Sequence, residues 1–235
     1  MNTTLVINAK GGVGKTTITT NLASYFAANG IATAVMDYDP QGSSLHWLKQ
    51  RPPEAPTIHG ANGAQRQTTG LRSIGKYVPP TTEQLIFDAP AGPSRLLLQE
   101  MLARTNSILI PVAPSVIDIQ ATANFIKELL LVGGVRHRNI RVAVVANRVR
   151  SSTTVYEPLE RFVRSLGLSF LARLLDSELY VEAAEAGLGI FEMDSDDSAE
   201  QCLEFMHVIN WIRGLEPVAA PEASNVIPLK QSTAS

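Results

Sequence analysis

The chain has 235 residues, 45% of them apolar and 18% charged, which is enough to bury a core and excludes a wholly disordered protein. No apolar run reaches the ~18 residues of a membrane span, no basic and apolar leader opens the chain, and the one cysteine, Cys202, cannot close an internal disulfide. A cytoplasmic setting is therefore expected, and four histidines without cysteine partners leave no zinc site.

Residues 4–8 (TLVIN) predict a first strand. A glycine-rich turn comes next, then a helix from about Lys15, whose Ile18, Leu22, Tyr25 and Phe26 keep helical spacing up to a stop at Asn29-Gly30. Residues 32–37, 85–88, 107–112 and 141–147 predict four more strands, and 169–174 a sixth. These runs are apolar throughout, as in strands buried on both faces. Their alternation with helices predicts an α/β fold, a doubly wound, mostly parallel sheet flanked by helices. Prolines break the rhythm over residues 51–80, which read as a long surface connection with one short helix at 71–78. One domain is expected over residues 1–213, with 214–235 as a flexible tail rich in Pro, Ala and Ser.

The chemistry concentrates between the first strand and the first helix, in Lys10-Gly11-Gly12-Val13-Gly14-Lys15-Thr16-Thr17. Its glycines let backbone N–H groups turn inward around phosphate oxygens, at a helix N-terminus that favours anions. Lys15 reaches the outer phosphates, and Thr16 offers its hydroxyl to Mg²⁺. The strict phosphate-loop spacing asks for Gly where Ala9 stands. A second lysine, Lys10, stands beside it, and taken alone such a lysine is as readily solvated as functional. Asp37 and Asp39 end the second strand and Asp88 the third, at the strand ends where open α/β sheets bind ligands. Carboxylates there suit Mg²⁺, directly or through water, and the orientation of an attacking water. The plainer alternative is that Asp37 and Asp39 merely cap the turn that follows, which the presence of Lys15 argues against.

Net charge is −2, unevenly spread. Residues 136–173 hold eight arginines (136, 138, 141, 148, 150, 161, 164 and 173) against Glu157 and Glu160, so this segment is +6 and the remainder −8. Residues 176–204 hold ten acids and neither Lys nor Arg. That acidic block is a solvated face or a dock for a basic partner.

In this order, KGGVGKTT, DYDPQGS, LIFDAPAG, ILIPVAPS and VANRV resemble the ParA-type partition ATPases of the ParA/MinD group, over residues 1–195. The resemblance implies a phosphate-loop NTPase that takes ATP with Mg²⁺ and closes a sandwich homodimer. Lys10 would reach across to the phosphates of the second copy, and Gly11 would lie at the dimer contact. Gly12, Val13, Gly14, Lys15, Thr16 and Thr17 would hold the nucleotide. Asp39 would position the hydrolytic water, while Asp37 and Asp88 would support the metal with Thr16. Asn147 and Arg148 would lie against adenine, with the loop before 187–192 closing the base pocket. The group binds DNA without reading sequence, which points to Arg136, Arg138, Arg150, Arg161 and Arg164 as phosphate contacts and to a nucleoid location.

Three departures narrow the group. The tail has one lysine and no sustained apolar stripe, so no membrane helix is expected. A single cysteine rules out a shared iron–sulfur cluster. With the loop at residue 10, an N-terminal DNA-reading helix-turn-helix is not expected. The reading that results is a slow ATPase, stimulated by a cargo-adaptor protein. Its cargo is a plasmid or chromosome or, alternatively, a carboxysome or other protein assembly. A nucleotide-gated scaffold that never touches DNA is the further alternative.

Overall fold

The computed structural model describes residues 1–64, 77–131, 134–135, 137–150, 155–193 and 195–215. Seven parallel strands form one sheet in the order β3-β2-β4-β1-β5-β6-β7. They are β1 (Asn2–Val6), β2 (Thr33–Asp37), β3 (Ile58–Asn62), β4 (Gln84–Asp88), β5 (Ser107–Val112), β6 (Arg141–Val149) and β7 (Ser169–Leu175). Helices α1 (Lys15–Ala28), α2 (Ser43–Gln50), α3 (Arg95–Leu102), α4 (Val116–Leu131), α5 (Glu157–Ser165), α6 (Leu179–Glu185) and α7 (Ser195–Arg213) connect and cover it, with a short 3-10 turn at Ile190–Glu192.

Side chains alternate across the sheet, so consecutive strand residues enter different cores. Leu5, Ile7, Met36, Phe87 and Ile110 face α3, α4 and α5, where they meet Met101, Ile126 and Val163. Val6, Val35, Ile86, Leu109 and Val145 face the opposite layer, against Ile18, Leu22 and Phe26 of α1 and Phe205 and Ile209 of α7. Two apolar faces explain the unbroken apolar runs. β2 to β4 lie on one side of β1 and β5 to β7 on the other, so the chain switches direction at β1. The crevice above that switch is where such sheets take ligands.

Six of the seven strands overlap the predicted runs, and β6 runs on to Val149. The exception is β3, which pairs in parallel with β2 from Ile58↔Thr33 to Asn62↔Asp37. It lies inside the stretch read as a surface connection. As an edge strand it is only partly covered, with His59 and Gly60 exposed, so it lacks the continuous apolar signature. Residues 71–76 of the predicted short helix and residues 216–235 of the predicted tail lie outside the described residues.

Candidate functional site

β1 ends at Val6, and α1 starts at Lys15. Gly14 closes the intervening loop with φ +88°, a left-handed geometry suited to glycine. A Cβ on Gly14 would lie 1.9 Å from Asn147 Nδ2. That amide instead donates to the Val13 carbonyl at 3.0 Å, tying the end of β6 to the loop. Asn8 anchors the other side. Its Nδ2 donates to the Pro111 carbonyl at 2.7 Å and to Thr122 Oγ1 at 2.9 Å, and its Oδ1 accepts the Lys10 N–H at 3.2 Å. The loop is thus fixed at both ends while Gly11 and Gly12 stay exposed.

Lys15 is buried and curls over the loop, its Nζ donating to the Lys10 carbonyl at 3.1 Å. Burial lowers the pKa of this ammonium, while the charges of Asp88 and Asp39 oppose the shift. An ammonium held on a carbonyl at the mouth of a glycine loop is available to phosphate oxygens.

Sheet register brings the carboxylates together, since Asp37 on β2 is the direct partner of Asp88 on β4. Asp88 accepts from Thr16 Oγ1 at 2.9 Å and from the Ser44 hydroxyl. Burial pushes its carboxyl up to about 7, and the neighbouring Asp37 charge adds to the shift; the bonds from Ser44 and Thr16 and the Lys15 charge hold it back. Asp37 accepts three backbone N–H groups, from Asp39 at 2.9 Å, Ser44 at 3.0 Å and Leu45 at 3.3 Å. It therefore caps α2, and its pKa is raised by burial against those bonds. Asp39 is half-exposed and accepts the Gln41 N–H at 2.9 Å on one carboxylate oxygen.

This donor set is all oxygen, which fits Mg²⁺. Among the described residues no three His, Cys, Asp or Glu side chains converge into a self-sufficient metal cage. Thr16 and Asp88, already hydrogen-bonded to each other, would be the residues to hold such a cation, with Asp37, which accepts three backbone N–H groups, in support.

Lys10 points away from the loop. Its Nζ lies 3.6 Å from Asp118 Oδ1 in the first turn of α4, a pair that is 41% and 23% exposed. Beyond Thr17 a cavity of about 390 Å³ opens, lined by Gln50, Asn147, Arg148, Tyr180 and Ala184 among others. The chain segment before Gly187 forms one wall of it, where the resemblance put the base pocket. Arg148 is exposed, with φ +55°. A larger groove of about 750 Å³ runs along the edge strand β7 between α5 and α7, away from the loop.

The structure divides the predicted DNA contacts. Arg136 lies outside the described residues. Arg138 precedes β6 and Arg150 comes just after it, so the strand's nine residues, roughly 30 Å at ~3.3 Å each, separate them. On α5, Arg161 lies 3.8 Å from Glu157, and Arg164 shares Glu160 with Arg173. Among the described residues, Arg138 and Arg150 therefore stand at opposite ends of β6 and do not share one patch on a single copy. Ser44, Asp118 and Tyr180 are site-lining residues that the motifs did not mark. Ser44 stands one residue past the DYDPQGS run, and Asp118 reads as an ordinary acid in a helix's first turn.

The family described as "CobQ/CobB/MinD/ParA nucleotide binding domain" matches residues 4–190. The chain is 25% identical over 196 residues to the maintenance of carboxysome distribution protein A of Halothiobacillus neapolitanus, covering 81% of this chain and 87% of that one. The Gloeobacter kilaueensis protein of the same name is 27% identical over 206 residues, covering 86% and 90%. Among solved structures, the Aquifex aeolicus MinD cell division protein superposes with TM-score 0.70 at 17% identity, covering 92% of this chain and 99% of that one. The ATP complex of a Cyanothece McdA variant superposes with TM-score 0.68 at 14% identity, covering 94% and 99%. These likenesses agree with the seven-stranded sheet and its glycine loop.

Proposed function

We propose that this chain, which belongs to the CobQ/CobB/MinD/ParA family of nucleotide-binding ATPases, is a slow Mg²⁺-dependent ATP hydrolase whose nucleotide state switches it between monomer and sandwich dimer. The supporting observation is the convergence of Lys15, Thr16, Asp37, Asp39 and Asp88 on one glycine loop at the switch point of the sheet. The loop N–H groups of Gly11 to Thr17 and the Lys15 ammonium hold the phosphates. The Thr16 hydroxyl and the Asp88 carboxylate would hold Mg²⁺, with Asp37 in support. Mg²⁺ supplies neutralisation of the phosphate charge. Asp39 orients the attacking water, and Asn147 and Arg148 border the base. Lys10 leaves Asp118 and extends to the phosphates of a second copy, so nucleotide becomes part of the dimer contact.

The dimer then binds duplex DNA without reading sequence, through arginines that neutralise phosphates. Two copies bring together arginines that a single copy keeps apart, so affinity rises on dimerisation without any new base contact. An adaptor protein on the cargo stimulates hydrolysis, the dimer separates, and the DNA is released at the nucleoid. Residues 1–213 act as one domain, with 214–235 as a tail. Among the described residues no helix is long and apolar enough to cross a membrane. Relatives named for carboxysome distribution, matching over four-fifths of the chain, favour a protein compartment as cargo over a plasmid or chromosome.

The test is sedimentation of the full chain with ATP, ADP or no nucleotide, beside Lys10→Ala and Asp39→Ala. The reading expects an ATP-dependent dimer, lost in Lys10→Ala and made longer-lived in Asp39→Ala. A Lys10→Ala variant that dimerises like the parent would remove the cross-site role. An Asp39→Ala variant that turns over ATP normally would remove the water-positioning role.

A further inference from the structure

We infer that α2 braces the wall of the cavity beside Asn147, and that Arg51, just past its C-terminus, is a positioning residue for nucleobase affinity. The inference rests on the proposal above that this cavity takes the base. The wall is α6, which contributes Tyr180, Val181, Ala184 and Glu185 to the cavity. α6 has seven residues; Ala183 is buried, Tyr180 packs part-buried against the core, and Val181, Glu182, Ala184 and Glu185 are exposed. The segment on its C-terminal side adds the polar anchor that fixes its orientation.

The chain leaving α6 presses directly on α2. A Cβ on Gly187 would lie 2.5 Å from the Gln50 carbonyl atoms and 2.6 Å from the Arg51 nitrogen, so the two backbones touch. Arg51 then fastens the segment. Its Nη1 donates to the Gly187 carbonyl at 3.1 Å and to Glu192 Oε2 at 3.0 Å, and its Nη2 donates to Glu192 Oε1 at 2.7 Å and to the Pro56 carbonyl at 2.9 Å. Glu192 Oε2 also accepts the Gly189 N–H at 2.9 Å. Trp47 adds an Nε1 donation to the Leu188 carbonyl at 3.1 Å, and its ring lies under the guanidinium, 5.0 Å from centroid to carbon. On the far side, Asn21 of α1 accepts the Ile190 N–H at 2.7 Å and donates to the Thr17 carbonyl at 2.8 Å. Thr17 is itself on the cavity wall.

The Arg51 and Glu192 side chains are only 7% and 8% exposed. A buried ion pair is a poor source of net stability compared with apolar packing of the same volume. What a bidentate, stacked guanidinium provides is direction: planar, fixed donors that hold the loop in one orientation at Gly187 and Glu192. The Arg51–Glu192 pair itself hydrogen-bonds neither the phosphate loop nor the carboxylates, so loosening it displaces the base wall more than the phosphate cradle.

The experiment compares calorimetric binding of ATP and of inorganic triphosphate, both with Mg²⁺, to the full chain and to Arg51→Lys and Trp47→Phe. Triphosphate has no base, so it reports the phosphate cradle alone. The expected result is ATP affinity weakened on the order of tenfold in Arg51→Lys and about threefold in Trp47→Phe, with triphosphate affinity unchanged within about twofold in both. Trp47→Phe keeps an aromatic ring and removes one hydrogen bond, so it stays informative if Arg51→Lys folds poorly. Equal weakening of ATP and triphosphate would mean that the clamp serves only stability and would overturn the inference, as would unchanged ATP affinity in both variants. A parent chain that binds ATP no tighter than triphosphate would instead overturn the assignment of the cavity to the base.

Discussion

Replacing Asp118 with Asn is expected to tighten the ATP-dependent dimer. In the single copy Lys10 is held by Asp118 at 3.6 Å, on the side chain's own molecule. Both residues are partly exposed, so the pair contributes about 0.2–1 kcal/mol after solvent screening. A symmetric dimer that redirects Lys10 across the interface gives up two such pairs, a cost of about 0.4–2 kcal/mol. Removing the carboxylate removes that cost from the monomer. The dimer Kd should then fall between about twofold and thirtyfold. The amide is nearly isosteric and stays in the first turn of α4, so the fold itself is little disturbed. Sedimentation velocity over a protein dilution series, with ATP in the Asp39→Ala background to suppress turnover, measures the constant directly. High salt should shrink the difference, because it already screens the pair in the parent. An Asp118→Asn dimer that is weaker than the parent, or equal to it at low salt, would refute the idea that this pair restrains Lys10.

Asp88 carries a pH signature in the ligand-free protein. Its folded-state pKa, pushed up to about 7, lies above the ordinary 3.8, so the fold prefers the protonated acid. The stability this provides is fully present below about pH 4 and is lost as pH rises through about 7, with a magnitude on the order of 4 kcal/mol. Thermal melts should show Tm falling over that interval, with the fall blunted in Asp88→Asn, and a parallel slope in the two proteins would contradict it. Mg²⁺-dependent ATP binding needs the charged carboxylate and should strengthen over the same interval. Gly14→Ala forces a side chain into a left-handed residue against Asn147, at a cost of about 1–2 kcal/mol for the backbone and about 1 for the Val13 bond. A urea midpoint equal to the parent's would refute that strain. Arg150 makes no ion pair among the described residues, whereas Arg164 is engaged with Glu160. Arg150→Ala should therefore weaken DNA binding and lower the log–log salt slope by about one, with Arg164→Ala the milder of the two; the reverse ranking would show that α5 is the DNA face.

The parts of the fold that the sequence displays are those whose side chains obey one local rule. β1, β2, β4, β5 and β6 are buried on both faces, and their short apolar runs bounded by turn residues are legible as strands by length and flanks. The glycine loop is legible for a similar reason, because Lys15 and Thr16 act through a backbone shape that the adjacent glycines specify. β3 was hidden because an edge strand answers to only one neighbour, and Ile58-His59-Gly60-Ala61-Asn62 has no pattern until β2 is beside it. Ser44 became a site residue only through the register that sets β2 against β4 and brings Asp88 over the start of α2. Arg51 and Glu192 stand 141 positions apart, and neither carries a local mark of the other. The arginine-rich segment is the opposite case, legible as a charge run but not as a surface. Dense along the chain, its described arginines are divided between the two ends of β6 and the helix α5, since proximity in sequence becomes proximity in space only when no long element intervenes.

The claim that nucleotide switches the protein onto DNA is tested most directly by its binding to duplex DNA of arbitrary sequence. Affinity would be measured with ATP, with ADP and without nucleotide across a salt series. The account predicts association with ATP alone, independent of sequence and falling steeply and log-linearly with salt, because added salt weakens the drive from counterion release. Absence of binding under conditions where ATP demonstrably forms the dimer would contradict it, and would leave a nucleotide-gated scaffold that engages protein partners only.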